Sequence, residues 1–201
     1  MTIRSLWTAL RALLVLTVVL GLAYPLAITA VGQLALPAHS NGSLLRSDGE
    51  VIGSSLIGQS FTDEDGAALP EWFQSRPSAA GAGYDGGASS GSNYGPENAD
   101  LITAIEDRKA AVAELEGIAE SEVPADALTA SASGLDPHIS PEYALIQVAR
   151  VAEARGVDEA SIRSLVESRI QGRDLGYLGE PRVNVLELNL ALAELDDSAT
   201  N

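Results

Sequence analysis

The most regular pattern along the chain is also its least polar. From Ala12 to Leu45 there is no Asp, Glu, Lys or Arg, and Ala12 to Val31 is almost wholly apolar. At ~1.5 Å per residue that run spans about 30 Å, the thickness of a bilayer's hydrocarbon core. A helix satisfies its backbone polar groups internally, so the pattern predicts one transmembrane helix over residues 12–34. Pro25 predicts a kink or the end of the regular part. Trp7 and Tyr24 are candidates for the membrane interfaces, although Tyr24 lies inside the apolar run, where it can instead face a partner. Gly21, Ala23, Ala27, Ala30 and Gly32 permit close packing on another membrane helix. A cleaved signal peptide would have a shorter apolar core and a small-x-small site, and VGQLALPAHS after the run offers no clean one.

Beyond the helix the periodicity changes. GSLLR (Gly42 to Arg46) and EVIGSSLIG (Glu50 to Gly58) flank Ser47-Asp48-Gly49 and predict a hairpin. A Gly/Ser-rich stretch at about 79–98 reads as a long loop, functional or mobile, in which Tyr84, Asn93 and Tyr94 argue against a plain spacer. Leu101, Ile105, Val112 and Leu115 recur at helical spacing, predicting a helix over Ala99 to Glu116 stopped by Gly117. Ser140-Pro141 predicts the cap and first turn of a helix running to Gly156. Asp158 predicts a third, with Ile162, Leu165, Val166 and Ile170 on one face and Gly172 after it. The tail VNVLELNLALAEL fits both periods; a helix capped by Asn184 is the chosen reading. The fold class is therefore α+β: one N-terminal transmembrane helix followed by a single mixed α/β domain over residues 35–201.

Charge gives the helix a direction. Arg4 and Arg11 precede it and no Lys or Arg follows until Arg46, so residues 1–11 are expected in the cytoplasm and the main domain outside it. The net charge of −16 argues against nucleic acid as a partner, since phosphate binding needs clustered Lys and Arg. Such acidity serves solubility and would also raise the local concentration of cations. The absence of Cys excludes disulfides, thiolate metal sites and cysteine nucleophiles.

Candidate chemistry is sparse. The two histidines, His39 and His138, are far apart, and without HExxH-type spacing a zinc site is not expected. His138 follows Asp136 in SGLDPHISPE, which invites an acid–base reading, but Asp-Pro-His and Ser-Pro are first of all turn and cap chemistry. No serine sits in a GxSxG elbow, and no GxxxxGK[ST] phosphate loop occurs. Two readings stay open on this footing. One is a single-pass anchored extracellular module that binds ligand through the Gly/Ser-rich loop; the other is a membrane-anchored hydrolase that depends on His138 and Asp136.

A set of short motifs, taken in order, points elsewhere. These are Tyr24-Pro25-Leu26, Asn41-Gly42-Ser43-Leu44, Gly53-Ser54 with Leu56-Ile57-Gly58-Gln59, Arg76-Pro77-Ser78-Ala79 and Gly91-Ser92-Asn93. Then come Ser131 to Pro141 (SASGLDPHISP), Arg150-Val151-Ala152, and Gly179 to Leu192 (GEPRVNVLELNLAL). Together they resemble the C subunit of the Kdp-type potassium-transporting P-type ATPase of bacteria, from the anchor almost to the C-terminus. The resemblance implies a non-catalytic accessory subunit in a bacterial inner membrane, without catalytic or metal-binding residues of its own. Its partners would be a channel-like potassium-binding subunit, a catalytic P-type ATPase subunit and a small single-helix subunit; K⁺ and ATP would belong to the first two. It further implies a role in assembly and as a catalytic chaperone that raises the ATP affinity of the catalytic subunit. Leu56, Ile57, Gly58 and Gln59 are the nucleotide-sensing candidates it supplies. The partner-interface candidates are Tyr24, Pro25, Arg76, Pro77, Ser78, Gly91, Ser92, Asn93, Gly134, Leu135, Asp136, His138, Ser140, Pro141, Glu180, Pro181, Arg182 and Asn184. Since the charge asymmetry separates this domain from ATP, an effect on ATP affinity is expected to be indirect.

Overall fold

The structure, a computed structural model, describes residues 2–47 and 49–199, with side chains as far as Leu195. It divides into two compact units, Met1–Leu45 and Arg46–Asn201. In the first, helix α1 (Ile3–Ala35, 33 residues, with an 18-residue stretch of mean hydropathy 2.3) has the length and composition to cross a membrane. At ~1.5 Å per residue it is about 50 Å long, more than a hydrocarbon core requires. Pro25 does not end it. Proline has no N–H to donate and its ring crowds the carbonyl four residues back. The turn before it, Val19–Ala23, widens to π-helical spacing, with the Tyr24 N–H bonded to the Val19 carbonyl. At the N-terminal end the Arg11 guanidinium lies 5.1 Å from the Trp7 ring centre. A short helix, α2 (Pro37–Ser40), follows.

In the second unit the capping chemistry sets most boundaries. Helix α3 (Ala99–Glu116) starts where Asn98 accepts from the Asp100 and Leu101 amides, and stops at Gly117, φ +66°. After α4 (Ala125–Leu128), Ser140 caps α5 (Pro141–Ile146). The single helix expected from Pro141 to Gly156 is two: Gln147 interrupts it, and α6 (Val148–Arg155) continues to Gly156. Gln147 Nε2 donates to the Tyr143 carbonyl, so a side chain enters the helical ladder there. Asp158 caps α7 (Glu159–Ser168), which ends before Ile170 and Gly172. Asn184 Oδ1 accepts the Glu187 amide, and α8 (Val185–Ala199) takes the helical reading of the tail.

Strands are shorter than expected. The hairpin strands are β1 (Leu44–Ser47) and β2 (Glu50–Ser54); Asp48, in their turn, lies outside the described residues. Past Ser54 the chain turns, with the Ile57 amide bonded to the Ser54 carbonyl, instead of continuing as a strand to Gly58. A second pair was not predicted. Strands β3 (His138–Ile139) and β4 (Val183–Asn184) run antiparallel, with His138 opposite Asn184 and Ile139 opposite Val183. The 79–98 stretch forms neither helix nor strand, yet it is fastened. The Ser90 amide and the Ser89 hydroxyl both donate to the Ser133 carbonyl at 2.9 Å.

The core is aliphatic, built on Ile139, Val148, Val151, Ile162, Val166, Val183, Leu188 and Leu192, with Phe73 fully buried among them. Phe73 and Gln74 are buried without a partner strand, so their backbone groups need bonds from elsewhere. Two side-chain amides supply them. Asn189 accepts the Phe73 amide and donates to its carbonyl, both at 2.9 Å. Gln147 does the same for Gln74, at 2.6 and 3.2 Å. Arg150 completes the cluster: Nε bonds both oxygens of Glu116, Nη1 the carbonyls of Pro70 and Trp72, and Nη2 Gln147 Oε1. Burial raises the Glu116 pKa above the ordinary carboxyl value, against the opposing hydrogen bonds and charge of Arg150. Among the described residues no buried side-chain N or O atom is left without a partner.

Candidate functional site

The motif LDPHIS is a turn leading into a cap. Asp136 Oδ1 accepts the His138 amide at 3.0 Å and faces its Nδ1 at 3.2 Å, an Asx turn with an imidazole closing it. Arg76, sixty residues earlier in the chain, reaches the other oxygen, Nη1 to Oδ2 at 3.1 Å. Its Nε and Nη2 donate to the Thr129 carbonyl. Burial pushes the Asp136 carboxyl upward, but the side-chain and backbone bonds from His138, with its charge and that of Arg76, bring it below the ordinary range.

Behind this triplet the motifs meet one another. Tyr84, at φ +54°, sends its hydroxyl to the Arg76 carbonyl at 2.9 Å and to the Asp136 carbonyl at 3.3 Å. Burial pushes its pKa up to about 12. The Ser78 hydroxyl donates to the Gly134 carbonyl at 2.6 Å and accepts the Ala80 and Tyr84 amides. The Gly58 amide donates to the Leu135 carbonyl at 2.9 Å. A Cβ on Gly58 would lie 2.5 Å from the Tyr84 ring and 2.9 Å from the Asp136 carbonyl, so glycine is a packing requirement there. Gly91 approaches Ala132 equally closely.

The triplet forms a ridge between two clefts. One, about 620 Å³, is lined by Leu56, Ile57, Ser131, Ser133, Leu135 and Pro137 with Arg76, Asp136 and His138. The other, about 330 Å³, lies between the triplet, Asp126, Ser140 and the Glu180-Pro181-Arg182 segment. The carboxylates of the second cleft already have partners. Asp126 accepts the Ser140 amide and hydroxyl, and Glu180 is paired with Arg173.

The sequence candidates thus fall into distinct places. Arg76, Ser78, Gly134, Leu135, Asp136 and His138 are brought together, with Pro77 between Arg76 and Ser78. Leu56 and Ile57 are exposed on the first cleft, whereas Gly58 is buried and Gln59 Nε2 is bonded to the Ile52 carbonyl. Asn184 is buried, donating to the Ser55 carbonyl while capping α8. Ser140 and Pro141 open α5. Ser92 and Asn93 are exposed on the loop, with Asn93 at φ +55°. Tyr24 and Pro25 lie in α1, in the other unit. Thr129, Asp126 and Gln147 were not singled out by the sequence reading, since nothing local marks them, and Arg150 and Asn189 entered it only as members of motifs, without a role.

Chemically the ridge is a carboxylate-oriented imidazole. Among the described residues, the one hydrogen bond of the His138 ring is to Asp136, so no hydroxyl is positioned for activation by it. No group of three or more His, Asp or Glu is arranged to hold a metal ion among the described residues.

Residues 6–194 match the model of the KdpC family, "K+-transporting ATPase, c chain". The chain is 57% identical over 190 residues to a potassium-transporting ATPase KdpC subunit of Kineococcus radiotolerans, covering 94% of this chain and 93% of that one. It is 55% identical over 186 residues to the KdpC subunit of Caulobacter vibrioides, covering 92% and 90%. With that of Streptomyces avermitilis the identity is 50% over 212 aligned positions, covering 96% and 95%. The chain therefore belongs to the KdpC family, the c chains of K⁺-transporting ATPases.

Proposed function

We propose that this chain is a non-catalytic accessory subunit of an ATP-driven high-affinity potassium uptake complex, anchored by α1 with its main domain outside the cytoplasm. The observation that carries the reading is the family match over residues 6–194, which takes in the membrane-length helix and the whole motif-bearing domain. The partners are a potassium-binding channel-like subunit, a catalytic P-type ATPase subunit and a small single-helix subunit. Assembly is one contribution; a higher ATP affinity of the catalytic subunit is the other.

That second effect acts at a distance. Arg4 and Arg11 precede the span, which favours an outward domain, away from cytoplasmic ATP. In the Leu56–Gln59 stretch, Gly58 and Gln59 are committed to the scaffold, which supports coupling through bound partners over direct nucleotide contact. Such coupling requires only that this subunit bind one conformation of the complex better than another.

Co-purification in detergent with the other chains tests the assembly role. The ATPase measured with and without this chain should differ in KM for ATP more than in kcat. Protease added to sealed right-side-out vesicles should digest the domain after Arg46; resistance there would overturn the outward topology.

A further inference from the structure

Near the midpoint of the 12–34 span, α1 leaves backbone acceptors over. In an α-helix each N–H bonds the carbonyl four residues earlier. The Tyr24 N–H goes instead to Val19, five residues back, so the Leu20 carbonyl loses its ordinary donor. Pro25 has no N–H, so the Gly21 carbonyl loses its own as well. Both carbonyls lie at the predicted depth of the hydrocarbon core, where lipid offers no donor and an unmade backbone bond is costly.

The hydroxyls of α1 are badly placed to repair this. A helical threonine turns back to the carbonyl of the preceding turn, as Thr8 does to Arg4 at 3.0 Å. By the same geometry Thr17 addresses carbonyls before Leu20, and Thr29 addresses carbonyls after Gly21. The Tyr24 ring is rigid and holds its hydroxyl out from its own backbone, with the residue 60% exposed. The donor must therefore come from another helix, and the surface has room for one. Among the described residues, and beyond its own helical backbone, a Cβ on Gly21 would meet only the Thr17 Cγ2, 3.9 Å away. A neighbouring helix can approach the bare backbone there closely.

Chemistry selects the neighbour. Polar side chains at mid-membrane are rare because lipid makes them costly, and they are kept where ions cross. Ser, Thr, Asn and Gln offer oxygen to a cation and hydrogen to a carbonyl. Of the partners proposed above, the one that holds K⁺ within the membrane is the potassium-binding subunit. We infer that the Leu20 and Gly21 carbonyls accept hydrogen bonds from hydroxyl or amide side chains on one membrane helix of the potassium-binding subunit, which packs on α1 at Gly21. This rests on the membership of a complex proposed above.

The test replaces Tyr24, whose side chain leans back toward the preceding turn, by photoreactive benzoylphenylalanine in the full chain, co-expressed with the other chains and irradiated in native membranes. A covalent adduct with the potassium-binding subunit is expected. Two variants then separate shape from hydrogen bonding, read as the amount of that subunit co-purified in detergent. Gly21→Leu meets no close neighbour within this chain but blocks the approach of another helix, and should lower the amount about tenfold. Pro25→Ala restores an N–H that occupies the Gly21 carbonyl, and should lower it about threefold, the scale of one hydrogen bond between membrane helices. Both should leave the Tm of the main domain unchanged. An adduct with the catalytic subunit, the single-helix subunit, lipid or a second copy of this chain in place of the potassium-binding subunit would overturn the inference. So would no adduct, or either variant co-purifying at the wild-type level. If the unmodified chain does not co-purify with the ATPase, the proposed function itself fails, so the two failures are distinguishable.

Discussion

Two arginine–carboxylate clusters tie the domain together, and they use the same chemistry in opposite surroundings. Arg150 and Glu116 have side chains 8% and 0% exposed, with each of the three guanidinium nitrogens bonded to a protein acceptor. Arg76 and Asp136 have side chains 21% and 31% exposed, and His138 beside them 28%. The first cluster is sealed and shows no face to a partner. The second forms the ridge between two open clefts. The difference teaches that a paired charge in this protein signals function by what it borders, since hydrogen-bond satisfaction alone does not distinguish the two.

The comparison is broken most severely at the sealed cluster. Arg150→Met leaves Glu116 buried without its partner and removes the guanidinium from three other acceptors, at a cost on the order of 3–5 kcal/mol. Urea unfolding of the chain in detergent, followed by the fluorescence of Trp72, which lies 4.3 Å from Arg155, should show it. Gly58→Ala strikes the open cluster from behind, through the Tyr84 ring and the Asp136 carbonyl. Overpacking of that kind costs about 1–3 kcal/mol; a domain as stable as the wild type would refute the close approach. Asp136→Asn should cost only ~1 kcal/mol, because solvent screens a pair this exposed.

The pH dependence sharpens the same contrast. Asp136 has a folded pKa below its unfolded value, so its contribution is present above the unfolded pKa and lost as pH falls through the folded one. Glu116 is shifted the other way, and its contribution is present below its unfolded pKa and lost as pH rises through the raised folded value. Asp136→Asn should therefore flatten the acid side of the stability profile, as measured by Tm from neutral pH down to the unfolding limit. The smallest effect belongs to the general acidity. If the domain overlies an ion entrance, Glu64→Gln with Asp65→Asn should raise the KM for K⁺ by no more than about twofold at low ionic strength, and not at all in high salt.

Much of the helical architecture was legible because its signals are local. Ser140, Asp158 and Asn184 each cap the helix they were expected to cap, except that the helix from Ser140 breaks at Gln147. That break was hidden because its cause is tertiary: Gln147 turns its amide to Gln74, seventy-three residues away in sequence. The candidate site was legible as motifs but not as an assembly. Nothing in Arg76-Pro77-Ser78 says that Asp136 will face it, nor does Leu56-Ile57-Gly58 announce Leu135 as its neighbour.

The amide clamp on Phe73 has a consequence for the order in which the protein is made. The side chain that forms it, Asn189, is synthesised 116 residues after the backbone it grips. Until then the Phe73 N–H and C=O lack their native partners, and the core around them cannot close. A nascent domain without α8 should therefore remain loose and open to chaperones or proteases, then consolidate when that helix emerges.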